Sequence, residues 1–156
     1  MLLIMIYIAF RFSSRFAPGA VVAVLHDLLI TAGIFVILGY EFDLRILAAM
    51  LAILGYSLND TIIIYDRIRE NLEARTARDL PTVLNLSVNQ TLSRTVLTSG
   101  TTLIVVLTLA LLGGEVIRPF AIAMLIGVFV GTYSSIYIAA PTLMLLESRY
   151  GETGKA

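Results

Sequence analysis

Ile46 to Tyr65 is a run of 20 residues with one charged side chain, Asp60. Twenty residues in a helix rise about 30 Å, the thickness of a bilayer's hydrocarbon core, so this run is long enough to cross a membrane. A carboxyl near the bilayer centre costs about 2.5–3.5 kcal/mol, so it calls for a cavity or a partner inside the bundle. Four other apolar runs accompany it. Pro18–Gly39 has 22 residues, charged only at His26-Asp27; Thr95–Leu112 has 18 uncharged residues; Pro119–Leu146 has 28, enough to tilt or to kink near Pro141. Met1–Phe12 has 12 residues, interrupted only by Arg11, and reads as the end of a helix that begins upstream. None alternates polar and apolar residues as a barrel strand does. The expected fold is all-α, a polytopic transmembrane helix bundle forming one domain over residues 1–156, with five spans of which the first is truncated.

Composition agrees. Hydrophobic residues make up 58% of the chain and charged ones 14%, against about 45–50% and 25% in an ordinary soluble domain. Too few polar groups remain to cover a globule, which excludes a soluble enzyme and a nucleic-acid-binding module. Eleven basic and eleven acidic residues cancel, so net charge points to no anionic partner. Without cysteine there are no disulfides, thiolate metal sites or thiol chemistry, and no metal or cofactor is expected. Arg11 follows its apolar run rather than preceding it, unlike a signal peptide.

The loops set an orientation. Residues 11–17, 66–94 and 147–156 fall on one side and hold nine basic residues, whereas 40–45 and 113–118 hold only Arg45 and Arg118. The positive-inside rule makes the first side, with the C-terminus, cytoplasmic. Asp66–Asp79 carries eight charges and is expected to extend its helix into the cytosol, with Ile68 and Leu72 one turn apart on one face. Asp79 is a candidate N-cap, and Leu80, Val83, Leu84 and Val88 recur at a spacing that predicts a short helix lying in the interface.

Asp60 sits six residues before Asp66, roughly 9 Å inward, and Asp27 nine residues after Pro18, roughly 14 Å deep. Arg94 enters the membrane from the same side as Asp60, with Ser57, Asn59, Thr95, Thr98 and Ser99 as supporting polar groups. One reading is a proton relay through Asp60, Arg94 and Asp27, in which distance or hydration switches the protonation of Asp60. The other is a static buried ion pair with hydroxyls joining helices. His26 either lines the same cavity or faces another helix. An intramembrane aspartyl protease would need a GxGD element, but the residues before Asp60 are Ser57-Leu58-Asn59, and no GxSx turn supports a serine protease. Ala123, Gly127, Gly131, Ser135 and Ala139 recur every fourth residue, a stripe suited to close helix packing.

The segment Gly55-Tyr56-Ser57-Leu58-Asn59-Asp60-Thr61, running into Tyr65-Asp66-Arg67-Ile68-Arg69-Glu70-Asn71, resembles the signature of the SecF family, subunits of the SecD–SecF complex that assists bacterial Sec export. His26-Asp27, Gln90-Thr91-Leu92-Ser93-Arg94-Thr95, Thr98-Ser99-Gly100-Thr101-Thr102 and Gly113-Gly114 extend the resemblance over nearly the whole chain. It implies six membrane helices with a periplasmic domain after the first, within the resistance-nodulation-division superfamily, so that these spans would be helices two to six of a longer protein. The resemblance further implies proton conduction through a membrane aspartate and arginine, which match Asp60 and Arg94, with an aspartate from SecD; Asp27 matches a further motif position. The partners it implies are SecD, the SecYEG translocon, the translocating preprotein, membrane lipid and protons, with no nucleic acid. The implied role is promotion of protein export across the bacterial cytoplasmic membrane by the proton motive force, without enzymatic chemistry. Half of a proton-coupled efflux transporter of the same superfamily, or a membrane scaffold without ion flux, remain open alternatives.

Overall fold

The computed structural model describes residues 17–74 and 79–151. Its elements are α1 (Ala17–Ile37), α2 (Leu44–Glu73), α3 (Leu80–Leu112), α4 (Gly114–Ser134), a π-helical segment (Ser135–Ala139) and α5 (Ala140–Gly151). Among the described residues, four stretches are long and apolar enough to cross a membrane: Ala17–Ile37, Leu44–Glu73, Leu80–Leu112 and Gly114–Leu145. The described residues form helices joined by short turns, and the chain is a multi-pass membrane protein. The short first span expected at 1–12 lies outside the described residues.

Polar side chains fix where the helices start. Asp43 accepts hydrogen bonds from the amides of Arg45 and Ile46, both at 3.0 Å, and its partner Arg45 donates through Nε at 2.5 Å. The Ile46 amide is the largest influence holding the Asp43 carboxyl below its ordinary range. Asp79 caps α3, accepting from the Thr82 hydroxyl at 2.7 Å and the Thr82 amide at 3.0 Å, which lowers its carboxyl in the same way. Between α3 and α4, Gly114 turns the chain at φ +74°, a conformation that favours glycine.

Two boundaries differ from expectation. The separate interfacial helix at residues 80–88 is instead the opening of the 33-residue α3. No residue between Pro81 and Gly100 breaks the helix, and its apolar face is covered by protein. Leu84 joins a buried cluster with Tyr65, Ile68 and Leu143, while Leu80 and Val88 pack against it. The last span begins at Gly114 rather than Pro119, because a proline this near a helix start removes only one early hydrogen bond. At the other end Pro141 withdraws an N–H and crowds the preceding turn, which widens into the π segment.

The core is layered. One apolar cluster gathers Ala20, Ala23, Val24, Leu58, Ile64, Tyr65, Ile68 and Leu143; a second, toward the other end, gathers Phe35, Ile46, Ala49 and Ala123. Between them each helix contributes buried polar groups: Asp27 and Thr31 from α1, Ser57, Asp60 and Thr61 from α2, Thr95 and Ser99 from α3, Ser134 from α4 and Ser135 from the π segment. Outward-facing Leu29, Val36, Leu51, Val96, Leu97 and Ile104 are exposed, as lipid contact requires.

The small residues on α4 make this layering possible. Ala123, Gly127, Gly131 and Ser135 are all buried. A Cβ at Gly127 would collide with the Ile53 side chain, whereas one at Gly55 would meet nothing within 4 Å. Gly127→Ala should therefore lower stability in detergent by about 1–3 kcal/mol through overpacking. Gly55→Ala should be neutral or stabilising by up to about 1 kcal/mol through helix propensity. Thermal unfolding of the two variants checks this; equal melting temperatures would mean that α2 and α4 do not touch at Gly127.

Candidate functional site

Hydroxyl groups are the natural tenants of a helix in hydrocarbon, since each can bond its own backbone one turn back when no better partner is near. Thr98, Thr101, Thr102 and Thr108 do this: the Thr98 hydroxyl donates to the carbonyls of Arg94 and Thr95 at 3.0 and 3.1 Å. At the polar layer the hydroxyls instead reach across helices. Tyr56 donates to Ser99 at 3.0 Å, and Ser99 pairs with Thr132 at 2.7 Å, linking α2, α3 and α4. Thr61 of α2 pairs with Ser135 at 3.1 Å, and the Tyr65 hydroxyl donates to the Ala139 carbonyl at 2.9 Å.

Asp27 has three polar partners in this layer. Ser57 and Ser134 both donate to its Oδ2, the latter at 2.8 Å, and His26 Nδ1 lies 3.1 Å from Oδ1. Gly131 stands over this carboxyl: a Cβ there would be 3.1 Å from Ser57 Cβ and 3.6 Å from Asp27 Oδ2. The stripe of small residues thus brings α4 close enough for Ser134 to reach α1.

Asp60 is the opposite case. Only 1% of it is exposed, and neither carboxylate oxygen has a hydrogen-bond partner among the described residues. The hydroxyls of Thr31 and Thr95, also buried, are likewise unpartnered. Arg94 acts on Asp60 through its charge, but no hydrogen bond or close ion pair joins the two. Arg94 is exposed instead in a cleft of about 350 Å³ between α2 and α3, lined also by Asp66, Arg67, Glu70, Gln90 and Thr91. That cleft opens toward the charged end of α2, the end nearest Asp60 in sequence. Burying a carboxylate that receives no hydrogen bond from the described residues is costly, so this arrangement suits an acid able to hold a proton.

The remaining expected residues divide. Ser57 and Ser99 join the hydroxyl network and Thr95 is buried in the layer, whereas Asn59 is exposed on the far face of α2 and Thr98 bonds only its own helix. The structure adds Ser134, Tyr56, Thr31 and Thr132. Ser134 stands beside Ser135 in an otherwise apolar run, and that doubled serine was the available signal. No group of three or more potential metal ligands occurs among the described residues.

Residues 1–149 match the family described as protein export membrane protein SecD/SecF, C-terminal. Protein translocase subunit SecF of Rhodothermus marinus is 50% identical over 155 residues, covering 96% of this chain and 50% of that protein. Protein translocase subunit SecDF of Thermus thermophilus is 50% identical over 149 residues, covering 94% of this chain and 20% of that protein. A crystal structure of SecDF in a super-membrane-facing form superposes with a TM-score of 0.91 at 47% identity, covering 99% of this chain and 21% of that one. The chain therefore spans half or less of the length of these relatives.

The hydroxyl contacts to Asp27 carry a stability prediction. Leaving a buried polar group without one of its partners costs about 1–3 kcal/mol, so Ser134→Ala should lower thermal stability in detergent by that much. Thr98→Ala, which deletes a hydroxyl bonded to its own helix, should stay within about 0.5 kcal/mol of wild type. Equal losses in the two variants would contradict the cross-helix bond to Asp27.

Proposed function

The chain belongs to the SecD/SecF C-terminal family, and on that premise we propose that it is the membrane-embedded part of a SecF-like subunit that uses the proton motive force to promote protein export. The carrying observation is Asp60, a carboxyl buried in mid-bundle with no hydrogen-bond donor among the described residues and with the charge of Arg94 nearby. A proton crossing 100 mV releases about 2.3 kcal/mol per charge, and a carboxyl that gains and loses that proton changes the electrostatics of the whole polar layer. Charged, Asp60 draws Arg94 inward from the cleft; neutral, it releases Arg94 to water. That alternation is a two-position element able to move α3 against α2.

SecD is the proposed immediate partner. In the Thermus thermophilus relative the matching stretch lies within a longer chain named SecDF, which supports a SecD half beside this one. The SecYEG translocon and the emerging preprotein are the proposed wider assembly, in the bacterial cytoplasmic membrane. With nine of eleven basic residues on one side, the Asp66–Arg94 connection and the C-terminus are proposed to be cytoplasmic. Protons would then pass between Asp60 and the cytoplasm through the Arg94 cleft. Asp27 belongs to the same layer, and with its neighbour His26 it forms the proposed second station on the path from outside.

Asp60→Asn keeps shape and loses the ability to carry a proton. The variant should insert and assemble normally, while proton-driven export falls to the level seen without the subunit. Export at the wild-type rate would make Asp60 structural. Arg94→Met should fail equally, and Arg94→Lys should retain part of the activity, because an ammonium keeps the charge but not the reach of a guanidinium.

Orientation is tested separately. A cysteine at Asn85, exposed near the start of α3, should react with an impermeant maleimide only after the membrane is opened. One at Glu115, exposed at the start of α4, should react in intact spheroplasts. The reverse pattern would overturn the topology.

A further inference from the structure

We propose that His26 is a second proton-accepting group, held by Asp27 so that Nδ1–H donates inward and Nε2 is left bare to take a proton. Asp27 Oδ2 receives two hydroxyls, Ser57 and Ser134, from two different helices. A hydroxyl has one proton to give, and Ser134 has a second acceptor within reach, the Gly131 carbonyl at 3.2 Å. The carboxylate at 2.8 Å is the nearer and the charged one, and charge-assisted bonds are the stronger. With both hydroxyls donating to it, Oδ2 serves as an acceptor.

That leaves Oδ1 facing His26 Nδ1 at 3.1 Å. With Oδ1 as the acceptor, the imidazole presents Nδ1–H, and the second nitrogen keeps its lone pair. Nε2 makes no hydrogen bond among the described residues. The His26 side chain is 30% exposed, against 2% for Asp27, so the ring reaches the flank of α1 while the carboxylate stays sealed in the layer. Asp27 is thus the positioning residue, and the mobile proton of the pair belongs to the imidazole.

Few other charges act on this ring. Among the described side chains on elements packed against α1, the buried ionisable groups are Asp60 and Tyr65 of α2, and Tyr65 donates its proton to the Ala139 carbonyl. On α4 and the π segment the layer contributes hydroxyls only; Tyr133 and Tyr137 stack on each other and are exposed, and Glu115 and Arg118 sit at the far end of α4. The use of His26 as a proton station rests on reading the polar layer as a proton path, but its tautomer does not.

Nitrogen-15 NMR of histidine-labelled full-length protein in bilayers, with the spectrum of a His26→Gln variant subtracted, reads that tautomer without any transport assay. At alkaline pH the wild type should show a protonated Nδ1 and a bare Nε2. On acidification Nε2 should gain a proton while Nδ1 keeps its own. Asp27→Ala should release the ring to the Nε2–H form that an unpartnered imidazole prefers; if that variant does not fold, the wild-type tautomer alone decides. A bare Nδ1 in the wild type, or an Nε2 that stays bare on acidification, overturns the proposal. Loss of the Asp60 mechanism would leave these signals unchanged, so the two readings fail separately.

Discussion

A carboxylate in hydrocarbon persists only where other groups replace water, and in this bundle that replacement is made by serines reaching between helices. Ser57 from α2 and Ser134 from α4 meet on Asp27 of α1, so one oxygen atom ties three helices together. The contact needs α4 to lie unusually close, which Gly127 and Gly131 permit by presenting no side chain toward Ile53 and Ser57. The stripe of small residues and the buried acid are therefore one device. Neither makes physical sense alone: without the close approach the carboxylate loses a donor, and without the carboxylate the hydroxyls could bond their own backbones.

Asp60 shows the same physics with the opposite outcome. It is as deeply buried as Asp27, yet the described residues give it no donor, and the nearby guanidinium of Arg94 stays in a water-accessible cleft. Two buried carboxyls thus sit in one polar layer, distinguished by how many hydrogen bonds each receives from the described residues. Apolar clusters above and below confine both. The π segment ahead of Pro141 carries Ser135 and Ala139, the acceptors and donors that Thr61 and Tyr65 use, so the irregular turn is bound to the layer by side-chain hydrogen bonds.

Much of this was legible in the sequence because membrane spans leave a strong signal: long apolar runs, with the few charges in them standing out. Asp27, Asp60, the glycine stripe and the Asp79 cap could all be read directly. Asn59 misled, because adjacency to Asp60 along the chain means a rotation of about 100° around the helix, enough to put it outside. Ser134 was missed for the converse reason: its partner is 107 positions away, and no local spacing reveals a bond formed across the bundle. The separate short helix expected at residues 80–88 is the first part of α3, because local apolar spacing does not show where a helix continues.

The central claim is that Asp60 gains and loses a proton as the membrane is energised and de-energised. Infrared difference spectroscopy on the complex in sealed vesicles, comparing energised and de-energised membranes, reads protonated carboxyl groups directly. The account predicts a protonated-carboxyl band that rises and falls with the proton gradient, disappears in Asp60→Asn and survives in Asp27→Asn. A band that is absent, that ignores the gradient, or that vanishes with Asp27 instead would contradict it.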